Sequence, residues 1–377
     1  MASDHRLTWC MESLVRQRAC PDPEEGHSAA QSGAGGEGIA GDAPALLDDY
    51  EILAVDDCST DGSWRILQTY AARYPGLVRA YRGDRNRRQG GAKNQALAHA
   101  SGEWIAFIDA DDWVVPDYFA RLLWKAQETG ADCVGTDYCI VHEHTMTPGP
   151  VVANSRAEQA GVVSDEGRRS MLVDFGSLCV KIYRREIVLG DQDASSERLC
   201  VFPEDIFYED NAVVKTWVMR IRHFEYVPGP LYYYYQHDDS TVHTVSLRRL
   251  EDRKVSGRLM IEEAHRLGYL EAYKPEIEYS YTVLFYKNTL FGAMQSLRRE
   301  EVKKAGASEY RTVYGFVTAL SAEMKQVFPE FQENTYYRAR TDAEEKKLIA
   351  MQMRSPRQFY VYYRLLWLYR KLRYGRR

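Results

Sequence analysis

An α/β fold is predicted for this 377-residue chain, built as a doubly wound, mainly parallel sheet with a helical C-terminal extension. Two short runs, Tyr50–Asp57 (YEILAVDD) and Gly102–Trp113 (GEWIAFIDADDW), are dense in aromatic, β-branched and small apolar residues and carry carboxylates at their ends. Strands buried on both faces of a sheet have this pattern when they run out into loops at its ligand-facing edge. Between the two runs lie helical spacings at Ser63–Tyr74 and Gln89–Ala100 and a further strand-like run, Leu77–Arg82. Strands alternating with helices of this length imply crossover connections and hence a parallel sheet. From Val245 onward the apolar spacing is helical, through Met260, Ile261, Leu267 and Leu270, then Val283, Leu284, Tyr286 and Leu290.

Composition excludes several classes. With 45% hydrophobic and 27% charged residues the makeup is that of a globular protein, and a net charge of −5 gives no general case for a nucleic-acid partner. Seven Cys are scattered without a Cys-x-x-Cys pair, so neither a disulfide framework nor a zinc site is indicated. A reducing compartment suits them. No apolar run reaches the roughly 18 residues that span a bilayer, and the N-terminus lacks the apolar core of a secretion signal. The expected location is cytoplasmic, at most peripheral on a membrane.

In chain order, Leu7–Arg18 has apolar residues at 7, 10, 11, 14 and 15 and is predicted helical. Gly26–Ala43 holds six Gly and five Ala with no periodic apolar face, so a flexible insertion is expected over 21–48. Pro116–Thr129 is an amphipathic helix with Phe119, Leu122, Leu123 and Ala126 on one face, and Ala131–Val141 is a strand carrying Asp137. Phe202–Val214 leads into a helix with the stripe Val213, Val214, Trp217 and Ile221. Glu209 and Asp210 then occupy its first turn, where acids complement the helix dipole.

Asp109, Asp111 and Asp112 are the first candidates for chemistry. Carboxylates this close repel unless a cation sits between them, which points to a divalent metal facing an anionic substrate. A solvated turn with a helix N-cap uses the same residues. Asp57 ends a second parallel strand at the same sheet edge, which favours a metal or nucleotide site.

VDDCSTDGS followed by GGAKNQALAHASGEWIAFIDADD resembles the nucleotide-sugar-binding half of a family 2 glycosyltransferase with the Rossmann-like, A-type glycosyltransferase fold, of the kind that builds bacterial surface polysaccharides. The resemblance covers Leu7 to roughly Ser240. It implies a hexosyltransferase-like enzyme using a nucleoside diphosphate sugar. Asp57, with Asp56, would contact the base, expected to be uracil, while Asp109 and Asp111 would hold Mn²⁺ or Mg²⁺ on the diphosphate. Asp112 would stand behind them or cap a helix. Lys93 would either add charge to the donor site from near a helix N-terminus or face solvent, and Asn94 would contact the nucleotide or cap locally. His237, in a His-x-x-Ser run after the aromatic strand Leu231–Tyr235, would touch the metal or diphosphate or lie exposed. Asp210 of the Glu209-Asp210 pair is implied as the general base of inverting transfer to a hydroxyl of a glycan or lipid-linked acceptor. Gly176–Ile187 resembles the acceptor-facing segment, with Lys181 and Arg184 as surface charges, and Asp137 is either an acceptor-side polar group or a strand-end residue.

One departure stands out. The family opens with a central strand, whereas this chain opens with MASDHRLTWCMESL, which looks like the family's first helix. The first strand is therefore expected to be missing, leaving unpaired backbone groups on its neighbours at about 1 to 3 kcal/mol each if buried. An N-terminally truncated or decayed, non-catalytic sugar-nucleotide-binding protein is the alternative; a nucleotidyltransferase is a third possibility that leaves Glu209 and Asp210 without a role.

The predicted organisation is a catalytic domain over 1–243, a helical extension over 244–353 and a final helix over 354–377. Arg354–Arg377 carries eight Arg or Lys, seven aromatics and no acid. With Tyr362, Tyr363, Leu366 and Tyr369 taken as one side, it suits an anionic membrane surface at the inner face of the plasma membrane. A nucleic-acid patch or an ordinary packed helix are the competing assignments.

Overall fold

The computed structural model describes residues 2–18, 49–192, 199–237, 246–297 and 312–374, so the predicted insertion at 21–48 lies outside the described residues. Two compact units are present, Met1–Asp205 with Thr216–His237, and Ile206–Lys215 with Asp238–Arg377.

The first unit is α/β. Its elements are α1 (Ala2–Val15), β1 (Ile52–Asp56), α2 (Ser63–Arg73), β2 (Val78–Arg82), α3 (Arg88–His99), β3 (Trp104–Ala106), β4 (Trp113–Val114), α4 (Tyr118–Thr129), β5 (Cys133–Val141), β6 (Val151–Val152), β7 (Gly161–Val162), α5 (Asp165–Val173), β8 (Lys181–Arg184), α6 (Arg185–Leu189), α7 (Glu209–Arg220, shared with the second unit) and β9 (His223–Tyr235). The expected helices and strands thus form, most with ends shifted by one or two residues, while α1 starts at Ala2 rather than Leu7 and β9 at His223 rather than Leu231. α4 shows why: Tyr118, Leu122 and Ala126 are buried at helical spacing, and Gly130, at φ +74°, ends the helix in a left-handed conformation that suits glycine.

The sheet is mixed rather than mainly parallel. Among the described residues β1 and β2 pair parallel as a two-stranded sheet, and a seven-stranded sheet runs β3-β8-β5-β9-β4, with β6 on β5 and β7 on β9. β5 and β9 are parallel, which α7 allows by crossing over before β9. β7 sits beside the start of β9, and α5 carries the chain back before β8 enters, so β8 runs against β5. Between β5 and β9 the register slips at Asp137, which accepts from Asn154 N at 3.1 Å, Gly229 N at 3.3 Å and the Tyr226 hydroxyl. Asp137 therefore fills a β-bulge and satisfies the backbone freed there.

β1 and β3 do not pair with each other, and each has one edge without a strand partner among the described residues. Their leading ends are joined by Glu51, whose carboxylate accepts from Ser101 N at 2.6 Å, the Ser101 hydroxyl at 2.8 Å and Gly102 N at 3.2 Å. Leu53, Ala54 and Val55 of β1 stay half-buried.

α1 braces both parts. Tyr70 of α2 donates to Glu12 at 2.7 Å, Ser13 accepts from Val114 N at 3.4 Å, and Trp9 meets Trp113 with centroids 5.3 Å apart. Just beyond the helix, Gln17 is fully buried, donates to the Ser13 and Val115 carbonyls at 2.9 Å each, and accepts from Phe119 N at 3.2 Å.

The second unit is helical: α8 (Leu247–Arg266), α9 (Lys274–Tyr281), a π-helical turn (Thr282–Lys287), α10 (Asn288–Ser296), α11 (Val313–Val327), α12 (Thr335–Arg340), α13 (Ala343–Arg354) and α14 (Pro356–Tyr374). Ser246, Thr312, Asn334 and Asp342 cap four of these helices with side-chain oxygens. Phe285, Tyr286, Leu290, Phe316, Phe331 and Phe359 fill the core, and a Cβ on Gly257 would fall 2.6 Å from the Phe285 ring. Buried Gln352 accepts from Tyr286 at 2.5 Å and donates to Val317 O at 3.0 Å.

Replacing Gln17 with Met keeps the volume but strands two carbonyls and an amide, so the first unit should lose about 1 to 3 kcal/mol. An unchanged urea unfolding midpoint would show that this clamp is not stabilising.

Candidate functional site

The acids follow β3 in a tight turn, with Asp112 N donating to Asp109 O at 3.0 Å. They are not equivalent. Asp112 is 2% exposed and accepts from the Tyr232 hydroxyl at 2.6 Å and from Tyr235 N at 2.9 Å. Burial, reinforced by the charges of Asp109 and Asp111, pushes its carboxyl well above the usual range. The two hydrogen bonds tie the turn to β9. Asp109 and Asp111 remain half-buried.

Around this pair stand Cys10, Cys179 and Arg6, which the sequence did not single out, and His237, which it did. The Cys10 thiol lies 3.6 Å from Asp109 O, and the Cys179 thiol 3.7 Å from Asp109 Oδ2. Burial first, then the three acids, pushes the Cys10 thiol far up, so it stays neutral. Asp111 accepts from His237 Nε2 at 3.1 Å, the Arg6 guanidinium lies 2.7 Å from the same imidazole, and Tyr235 stacks on it at 5.4 Å. Cys10, Cys179 and Arg6 have no local signature, because α1, the acidic turn and the segment ahead of β8 are far apart in sequence.

Two half-exposed carboxylates with a third buried behind them fit a divalent cation that takes its remaining ligands from phosphate and water. Among the described residues no group of three ligating side chains is assembled, so Asp109 and Asp111 would hold it with help from the donor.

At the end of β1 the two acids also divide. Asp56 is buried, with its carboxylate 3.1 Å from Arg82 Nε and 3.2 Å from Ser59 N. Asp57 is half-buried and accepts from Arg87 N at 2.7 Å; burial raises its carboxyl, against the Arg87 and Arg88 amides that lower it. Cys58, at φ +60°, and the close-packed Gly83 shape this turn.

α3 begins at Arg88, so Lys93 falls in its second turn rather than at its N-terminus, with Nζ 5.3 Å from the Phe202 ring. Asn94 is buried and locks the 202–204 segment, donating to Phe202 O at 2.9 Å and Glu204 at 3.3 Å and accepting from Phe202 N at 2.9 Å. These bonds reach 108 to 110 positions along the chain and so are not the local cap expected as one of its roles.

The segment ahead of β8 corrects the expectation of surface charge. Lys181 is fully buried, with Nζ donating to Phe175 O at 2.7 Å and Ser177 O at 2.8 Å and lying 4.3 Å from the Phe175 ring. Burial pulls its ammonium down to about 7. It holds the turn that presents Cys179 to Asp109. Arg184 is half-buried, pairs with Glu103 and stacks over Trp104 at 4.6 Å.

In the second unit α8 grips the start of α7. Ser256 donates to Tyr208 O at 2.6 Å, Arg253 to the Tyr208 hydroxyl at 2.8 Å, and Phe207 N to Asp252 at 3.3 Å. Tyr208 is held at φ +65°, a conformation costing about 1 to 3 kcal/mol for a bulky residue. Glu209 follows, 2% exposed, then half-buried Asp210, which accepts from Asn211 N at 2.8 Å.

Lys181 also predicts a pH dependence. Its pKa falls from 10.5 unfolded to about 7 folded, so between those values the unfolded chain binds the extra proton and stability rises with pH. Relative to Lys181→Met, the wild-type urea midpoint should climb from neutral pH into this alkaline window; parallel curves would rule out the depressed pKa.

Residues 43–188 match the family model for glycosyl transferase family 2. The succinoglycan biosynthesis protein ExoO of Rhizobium meliloti is 42% identical over 81 residues, 22% of each chain. The putative glycosyltransferase EpsH of Bacillus subtilis is 28% identical over 243 residues, 62% of this chain and 65% of that protein. The chain therefore spans less than two thirds of the length of either relative. The crystal structure of S. aureus TarS 1–349 in complex with UDP-GlcNAc superposes with a TM-score of 0.59 at 17% identity, covering 99% of this chain and 90% of that one. The fold is the A-type glycosyltransferase fold, and the similarity to glycosyl transferase family 2 extends over residues 43–188.

Proposed function

We propose that the protein is a metal-dependent, inverting glycosyltransferase that moves a sugar from a nucleoside diphosphate sugar, with UDP as the expected carrier, to a hydroxyl of a glycan or lipid-linked acceptor. The observation that carries this reading is the acidic turn after β3: Asp109 and Asp111 half-exposed, and Asp112 buried and hydrogen-bonded behind them. A divalent cation held there would neutralise the diphosphate as it leaves. Asp57 hydrogen-bonds the base, with Asp56 and Arg82 fixing its turn. His237 orients Asp111, Lys93 adds positive charge to the donor side, and Asn94 shapes that side through the 202–204 segment. Asp210 accepts the proton of the acceptor hydroxyl as it attacks the anomeric carbon opposite the diphosphate, and Glu209 supports that turn. The strained, clamped backbone at Tyr208 supports this role, since such strain persists where function fixes geometry.

A non-catalytic sugar-nucleotide-binding protein is the second reading, favoured by the division between β1 and β3. The partners in the first reading are the sugar donor, the acceptor and an anionic membrane surface on the cytoplasmic side. Among the described residues no helix is long and apolar enough to cross a membrane.

A panel of nucleotide sugars titrated with Mn²⁺ separates the two readings, since transfer or slow donor hydrolysis supports the first and binding without turnover the second. Asp210→Asn should lower transfer by about a hundredfold or more while sparing donor binding. Asp111→Asn, or a chelator, should weaken donor binding itself. Full turnover by Asp210→Asn would remove it from the mechanism.

A further inference from the structure

Resting on the membrane-surface reading, we infer that the outer face of α14 is a docking stripe for an anionic phospholipid bilayer. The inner face is occupied. Phe359 is fully buried, and Tyr363 is buried with its ring 5.6 Å from Phe359 and 5.9 Å from Phe291 and its hydroxyl accepting from Gln295 at 3.0 Å. Val361, Leu365, Leu368 and Leu372 are exposed, Leu365 at 62% and Leu372 at 79%. Their spacing of four, three and four residues lines them along one side of the helix. Single exposed apolar residues are ordinary, but four in line, flanked by exposed Tyr362 and Tyr369, form a continuous apolar face, with exposed Trp367 on the far side of Arg364. Of the side suggested by the sequence, Tyr362 and Tyr369 are exposed but Tyr363 is buried, so the solvent-facing stripe is centred on Leu365, Leu368 and Leu372 instead.

Charge selects the occupant. By helical angle Arg357 and Arg364 border the stripe on one side, and Tyr362, Tyr369 and Arg373 on the other, while Pro356–Tyr374 contains no acid. A second copy laid on this stripe would set like charges against each other, and a nucleic acid would leave the leucines in water. An anionic bilayer satisfies both features. The leucines enter below the headgroups, the guanidinium groups meet phosphates, and tyrosine and tryptophan occupy the interface.

The test is co-sedimentation of the full chain with vesicles of phosphatidylcholine, with and without phosphatidylglycerol, at low and high salt. Wild type should bind the phosphatidylglycerol vesicles alone, and more weakly at high salt. Leu365→Ser combined with Leu372→Ser should weaken binding about tenfold or more, with melting temperature and circular dichroism retained because both sites are exposed. Arg357→Gln combined with Arg364→Gln should weaken binding and flatten its salt dependence. The inference is overturned by absent wild-type binding, equal binding to neutral vesicles, undiminished binding by the leucine variant, or displacement by duplex DNA. Self-association that disappears in the leucine variant would overturn it in favour of a second copy. Asp210→Asn run in parallel separates the two readings: lost transfer with intact vesicle binding supports this one, and unaltered transfer by that variant would damage only the assignment of the base.

Discussion

The first unit depends on how three crowded acids are held at the end of β3. Carboxylates this close repel one another in a small, partly buried turn. Asp112 takes the buried position, where the Tyr232 hydroxyl and the Tyr235 amide hold it and burial pushes its carboxyl well above the usual range. The same contacts fasten the turn to β9 and leave Asp109 and Asp111 half-exposed. The thiols of Cys10 and Cys179 close the apolar side.

The surroundings follow from holding that turn in a divided sheet. α1 reaches from α2 to β4 and compensates for the missing pairing between β1 and β3 with side-chain bonds through Glu12, Ser13 and Gln17. Glu51 performs the same task at the leading ends of the strands. Lys181 is an unusual brace, because an ammonium ion satisfied by two carbonyls and a ring stays buried only at the expense of its basicity. Each is a polar group spent on backbone that strand pairing would otherwise satisfy.

In the second unit, hydrogen bonds from α8 keep Tyr208 in a left-handed conformation at the start of α7. Its final helix departs from the pattern of the core. α14 buries one aromatic edge and leaves an apolar stripe exposed with basic neighbours, a division of labour between packing and surface attraction.

The sequence by itself determined the alternation of strands and helices, the acidic ends of β1 and β3, the acids at the start of α7 and the helical C-terminal third. Apolar period, helix starts and clustered carboxylates are local properties of the chain. Tertiary structure decided what depends on distant neighbours. It made the sheet mixed, because α5 returns the chain before β8. It turned Asp112 into a buried brace, Asn94 into a lock on the 202–204 segment, Asp137 into a bulge anchor and Lys181 into a buried donor to two carbonyls. It also chose which face of α14 meets solvent, because Phe291 and Gln295 claim the Tyr363 side. In each case residue type was legible but burial was not, and burial sets whether a polar group carries charge, holds backbone or faces a ligand.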